Sequence, residues 1–160
     1  MNAMHFFVHL FHLLAAIIWL GGIFYVIVVL MKSMNVIEPP ERGKLFGAVG
    51  KRFMIISWIC VIFILISGFK MTSGEVIFDF STSKTIVLNI KILLFFVMLI
   101  IGLVMTFVIM PKMMKAAPKP GEPPSPEFIK MQSLGPKLAT VNLVLGILVI
   151  ICVAALHGLH

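Results

Sequence analysis

Four long apolar stretches constrain the fold of this chain more than any other feature of its sequence. A helix needs about 20 predominantly apolar residues to cross the hydrocarbon of a bilayer, and it satisfies its backbone hydrogen bonds within one segment. A transmembrane barrel would show shorter segments of alternating polarity. The sequence therefore predicts an all-α integral membrane protein, a four-helix up-down bundle in one transmembrane domain. The predicted helices span about 5–31, 52–71, 86–110 and 138–158.

The N-terminal stretch and a proline-rich segment need separate interpretation. The first stretch has no Lys or Arg before its apolar run and no clear cleavage site, so we expect a retained helix and not a signal peptide. Residues 118–126 read PKPGEPPSP, a composition that opposes regular helix. We therefore predict a flexible cytoplasmic loop over 111–137, with a short interfacial helix at 127–134.

The distribution of basic residues predicts the orientation of the chain. The chain has a net charge of +7, and its basic residues are unevenly distributed. Ten Lys and Arg residues fall between the first and second stretches or between the third and fourth, whereas two flank the connection between the second and third. Basic loops stay on the cytoplasmic side. We therefore expect a multi-pass protein of the cell inner membrane with both termini outside, and we read the charge as orientation and not as nucleic-acid binding.

All five histidines lie at the ends of apolar stretches that this orientation places outside. His5, His9 and His12 open the first helix, and His157 closes the fourth with the terminal His160. At about 100° per residue, the first three fall within a sector of about 60°. The first helix therefore carries one polar face.

Lys91 is the only Lys or Arg inside an apolar stretch, since Arg52 and Lys70 only bracket the second one. It lies about two turns from the outer end of the third helix, so His12, Lys91 and His157 are expected at similar depth. Ionisable groups inside a membrane are costly and usually face the bundle interior. Trp19 continues the histidine face and is expected to pack against a flat ligand. The plainer alternatives are headgroup contact for His5, snorkelling for Lys91, and packing for His12 and Trp19.

The residue types narrow the chemistry to imidazole ligation. No predicted span contains an acidic residue, which disfavours a carboxylate relay or a di-iron site, and no HExxH, GxSxG or phosphate-loop motif occurs. Haem iron takes axial imidazole, whereas copper accepts imidazole and, as Cu(I), thioether. The copper candidates at the outer side are Met1, Met4, His5, His9 and Met71.

The first and third helices resemble two related families. The segment HLLAAIIWLGGIFY at 12–25 resembles both the membrane domain of copper resistance protein D (CopD) and the HemJ-type protoporphyrinogen oxidase. The segment NIKILLFFVMLIIG at 89–102 resembles the HemJ stretch in which a Lys opens an apolar run. The HemJ resemblance implies haem b near His12 and Lys91, and the CopD resemblance implies copper handling. The sequence departs from HemJ by lacking a proline after Arg52 and an acid or proline beside Asn142.

We therefore predict a haem b-binding membrane protein with a redox or electron-transfer role near the outer face. His12 is the expected iron ligand, with His157 or Lys91 as its partner and with His9 or His5 as alternatives. Quinone or an outer-side redox protein is the expected electron partner, in a homo-oligomer or a larger membrane complex. The first alternative is CopD-like copper transport or resistance. The further alternatives are a HemJ-like oxidase and a non-catalytic subunit of a membrane complex.

Overall fold

The fold is described from a computed structural model, which describes residues 3–72, 78–118 and 122–158. Every regular element in those ranges is helical, and four helices are long and apolar enough to cross a membrane. This confirms the predicted all-α, four-span fold class; the orientation of the termini stays a prediction. The helices, numbered α1 to α4, span Ala3–Ser33, Pro39–Thr72, Ser83–Lys115 and Pro126–Gly158.

Three of the helices extend beyond their apolar stretches at the end predicted to be cytoplasmic. α2 begins at Pro39 and not near 52, and α4 begins at Pro126 and not near 138. Proline suits the first helical turn because its missing N–H has no partner there, and Glu41 and Glu127 favour the positive end of each helix. The expected short helix at 127–134 is continuous with α4, which runs through Pro136.

α3 continues to Lys115, past the predicted end near 110. Within α3, residues Met105–Ile109 form a π-helical segment directly before the turn that contains Pro111. Proline clashes with the carbonyl four residues earlier in a regular α-helix, and a π-helical turn relaxes that spacing. α1 holds a similar π-helical segment at Tyr25–Leu30. Both lie in the halves predicted to face the cytoplasm.

The chain divides into two compact units, Met1–Glu75 and Val76–His160. In the first unit, α1 packs against α2. Ala15, Trp19 and Ile23 are buried at four-residue spacing on α1, which places them on one helical face. The facing residues of α2 that are buried are Cys60, Val61, Ile64 and Ser67.

In the second unit, α3 packs against α4. Met98 is 1% exposed and Asn142 is 5% exposed, so the contact combines apolar packing with one buried amide. α3 begins in a capping box, in which Thr82 Oγ1 accepts from the Thr85 N–H and the Thr85 side chain accepts from the Thr82 N–H. This cap fixes the residue at which the third span starts.

Candidate functional site

A cavity of about 480 Å³ lies at the N-terminal end of α1, within the first unit. His5 and His9 are four residues apart on a continuous helix, so their rings extend from the same face one turn apart. Both side chains are exposed. The residues that line the cavity are His5, Phe6, His9, Leu10, Leu13 and Met71.

The last turn of α2 brings a thioether to these imidazoles. Met71 lines the cavity because the α1–α2 contact sets the end of α2 beside the start of α1. On the adjacent residue pair, Lys70 Nζ donates to Met4 Sδ over 3.4 Å. Two pairs of chain neighbours, Met4–His5 and Lys70–Met71, therefore meet where α1 begins and α2 ends.

The donor set in the cavity is two imidazoles and one thioether. Within the described ranges, no group of three or more His, Cys, Asp and Glu side chains is placed to hold a metal ion. The donors that the cavity does offer include sulfur from Met71. Thioether sulfur selects Cu(I), and imidazole suits copper, zinc, iron and nickel. The combination therefore fits copper better than the other imidazole-binding metals.

His12 lies one turn deeper and contacts α2. Its Nδ1 is 2.8 Å from Ser67 Oγ, and the Ser67 hydroxyl also bonds the carbonyl of Phe63 within its own helix. Since a hydroxyl has one proton, donation to Phe63 leaves Ser67 Oγ to accept from the Nδ1–H of His12. His12 is half-buried and is not among the residues that line the cavity. If His12 is a packing residue, Ser67 is therefore its hydrogen-bond partner.

The other predicted site residues lie apart from this cavity or outside the described side chains. Trp19 is 6% exposed in the α1–α2 contact. Lys91 is half-buried on α3. The side chain of His157, like the residues Met1 and His160, lies outside the described residues. The convergence of His12 with Lys91 and His157 stays a prediction.

The sequence pattern of one family matches more than half of the chain. The match is to the copper resistance protein D (CopD) family and covers residues 47–156. The chain belongs to the CopD family. The matched CopD region contains Met71 and Lys91, whereas His5, His9 and His12 precede it. The HemJ part of the resemblance stays a prediction. No curated protein and no solved structure matches the chain.

Ser67 is the residue of this CopD protein that sequence reasoning did not connect to a histidine. It was visible as the small polar residue of a Ser-Gly pair near the end of the second stretch. Its link to His12 depends on the relative rotation of α1 and α2. Gly68 follows it, and a Cβ there would stand 3.6 Å from His12 Cε1, an ordinary contact distance. The pair therefore gives His12 both a hydrogen-bond partner and room.

Proposed function

We propose that this protein binds copper at the outer end of α1 and α2 and serves in copper transport or resistance at the cell inner membrane. The observation that carries the proposal is the cavity that places His5 and His9 beside Met71. Membership in the CopD family supports the same metal. The proposed cargo is Cu(I), because a thioether contributes little to binding Cu(II) or zinc and favours the softer ion.

In this proposal each lining residue has a distinct role. His5 and His9 supply one neutral ring nitrogen each, which requires that both imidazoles be deprotonated. Met71 supplies a sulfur from the second helix, so a bound ion links α1 to α2. The apolar residues Phe6, Leu10 and Leu13 line the rest of the cavity and would surround a bound ion with apolar surface.

The first test is a Cu(I) titration of the purified protein against a chromophoric chelator. The protein should take up one Cu(I) ion, and Met71→Leu should weaken binding at least tenfold, or about 1.4 kcal/mol. Met114→Leu is the matched control, because Met114 is 71% exposed near the C-terminal end of α3 and does not line the cavity. Equal affinity in the two variants, or no copper uptake by the unmodified protein, would contradict the proposal.

Haem b binding with a redox or electron-transfer role is the second candidate. The observation that favours it is the bond from His12 Nδ1 to Ser67 Oγ, because a metal-ligating imidazole usually donates its other ring N–H to a fixed acceptor. In that case the Nε2 atom of His12 would be the iron ligand, and haem would supply one-electron transfer. Quinone or an outer-side redox partner belongs to this candidate alone.

A visible spectrum of the purified protein, oxidised and then reduced with dithionite, separates the two candidates. Haem b gives a reduced spectrum with sharp bands, whereas Cu(I) is colourless. For the haem candidate, His12→Ala should lose the pigment and Ser67→Ala should shift its redox potential. A colourless protein that binds Cu(I) would exclude the haem candidate and support the copper candidate.

A further inference from the structure

The loop that leads into α3 holds two exposed aromatic side chains in a fixed conformation. Phe78 is 83% exposed and Phe80 is 61% exposed, although both are large apolar residues. They flank Asp79 and precede the start of α3 at Ser83. In a soluble protein, such a pair next to a turn would be an unusual exposure of apolar surface.

Hydrogen bonds from one helical side chain hold this loop in place. The Phe78 N–H donates to Asn89 Oδ1 over 3.2 Å, and Asn89 Nδ2 donates to the carbonyl of Asp79 over 2.8 Å. The carboxylate of Asp79 accepts from the N–H and the hydroxyl of Ser81, over 2.9 and 2.8 Å. Asn89 lies on α3 itself, so the loop is attached to the helix that spans the membrane.

The backbone conformation of Phe78 is one that the residue would not adopt without support from its surroundings. Its φ is 67°, in the left-handed region that a non-glycine residue adopts at a cost. Such a conformation persists only where the surrounding structure determines it, and it is a reason to look for function. Here the hydrogen bond from the Phe78 N–H to Asn89 supplies that constraint.

The loop leads directly into a helix, α3, that has an exposed apolar face. Ile86, Ile90 and Leu93 are exposed by 38%, 44% and 64%, and their spacing of four and three residues places them on one helical face. On a membrane-spanning helix, an exposed apolar face contacts acyl chains. Lys84 is exposed in the first turn, where an ammonium group suits lipid phosphates.

We propose that Phe78 and Phe80 insert into the outer boundary of the bilayer and anchor the loop of residues 78–82 to lipid. The occupant of this aromatic surface is thus phospholipid, at the level where headgroups meet acyl chains. Aromatic side chains are favoured there. Asn89 is a positioning residue, because it holds the loop in the conformation that directs both rings outward. The inference does not depend on copper or haem binding.

The test uses the full-length protein in phospholipid nanodiscs, with a nitroxide label at one introduced cysteine. Cys60 and Cys152 are replaced by alanine first. Collision rates with oxygen, which concentrates in lipid, and with a water-soluble nickel chelate report the environment of the label. A label on Phe80→Cys should give an oxygen-to-nickel ratio between the high ratio of a label on Leu93→Cys, deeper along α3, and the low ratio of a label on Glu122→Cys.

Asn89→Ala should move the ratio of the position-80 label toward that of Glu122 and leave that of Leu93 unchanged. A position-80 label that resembles Glu122 in the unmodified background would show that the loop faces water. A label shielded from both reagents would show that protein covers the loop. Either result would overturn the proposal.

A second variant keeps an aromatic ring at this position. Phe80→Trp should show stronger fluorescence quenching by lipids brominated near the headgroup than the unmodified protein, whose two tryptophans supply the background. If the added tryptophan is not quenched, lipid is not the occupant.

Discussion

Substitution of two neighbouring glycines by alanine tests the α1–α2 contact on which the proposed copper site depends. A Cβ atom added at Gly22 would clash with Phe53 Cε2 and stand 3.2 Å from Phe53 Cδ2, whereas one added at Gly21 would meet nothing within 4 Å. Optimal carbon–carbon contact is about 3.5–4.0 Å, so Gly22→Ala requires the ring or the helices to move by about 1 Å. Overpacking of this kind costs about 1–3 kcal/mol.

Gly21→Ala is the matched control, because both substitutions gain the same helix propensity of about 1 kcal/mol. The difference between the two variants therefore isolates the Phe53 contact, and we expect Gly22→Ala to be less stable than Gly21→Ala by about 1–3 kcal/mol. Reversible unfolding in mixed micelles, followed by circular dichroism, measures this difference. Equal stability of the two variants would refute the close approach of α1 to α2 at Gly22.

Three further predictions concern charge. Lys70→Ala should tighten Cu(I) binding about two- to fivefold in the chelator titration, because one exposed cation beside Met4 then no longer opposes the metal. In a cysteine-free background, Ser83→Cys should react with an impermeant maleimide added outside and Pro124→Cys should not; the reverse pattern would invert the predicted orientation. Hydrogen bonds from Ser81 hold the pKa of Asp79 below its usual value. These bonds should therefore stabilise the loop at neutral pH, and this stabilisation should be lost only as the pH falls through the lowered pKa. A carboxyl NMR titration measures that pKa.

The four spans were predictable because lipid requires long apolar segments, and the chain has four of them. The helix ends were less predictable. The first turns of α2 and α4 carry prolines and charges that are also typical of loops, and Pro39 and Pro126 start helices because they occupy first-turn positions. A sequence does not distinguish a cytoplasmic helical extension from a polar connector when both are basic and proline-rich.

The residues of the candidate copper site were predicted from the sequence, but the cavity that they share was not. His5, His9 and Met71 were all candidates for copper, but their common cavity depends on how α1 and α2 are rotated against each other. In a membrane protein the lipid-facing and helix-facing sides are both apolar, so the pattern gives little information on rotation. His12 was selected by its depth, its helical face and the family resemblance, and its bond to Ser67 was not predicted.

Copper K-edge X-ray absorption of the Cu(I)-loaded protein tests the central claim most directly. The account predicts a first shell with imidazole nitrogens and one sulfur, and it predicts that the sulfur contribution disappears in Met71→Leu while the imidazole signal remains. A first shell without sulfur in the unmodified protein, or a sulfur contribution unchanged in Met71→Leu, would contradict the assignment of His5, His9 and Met71 as the copper site.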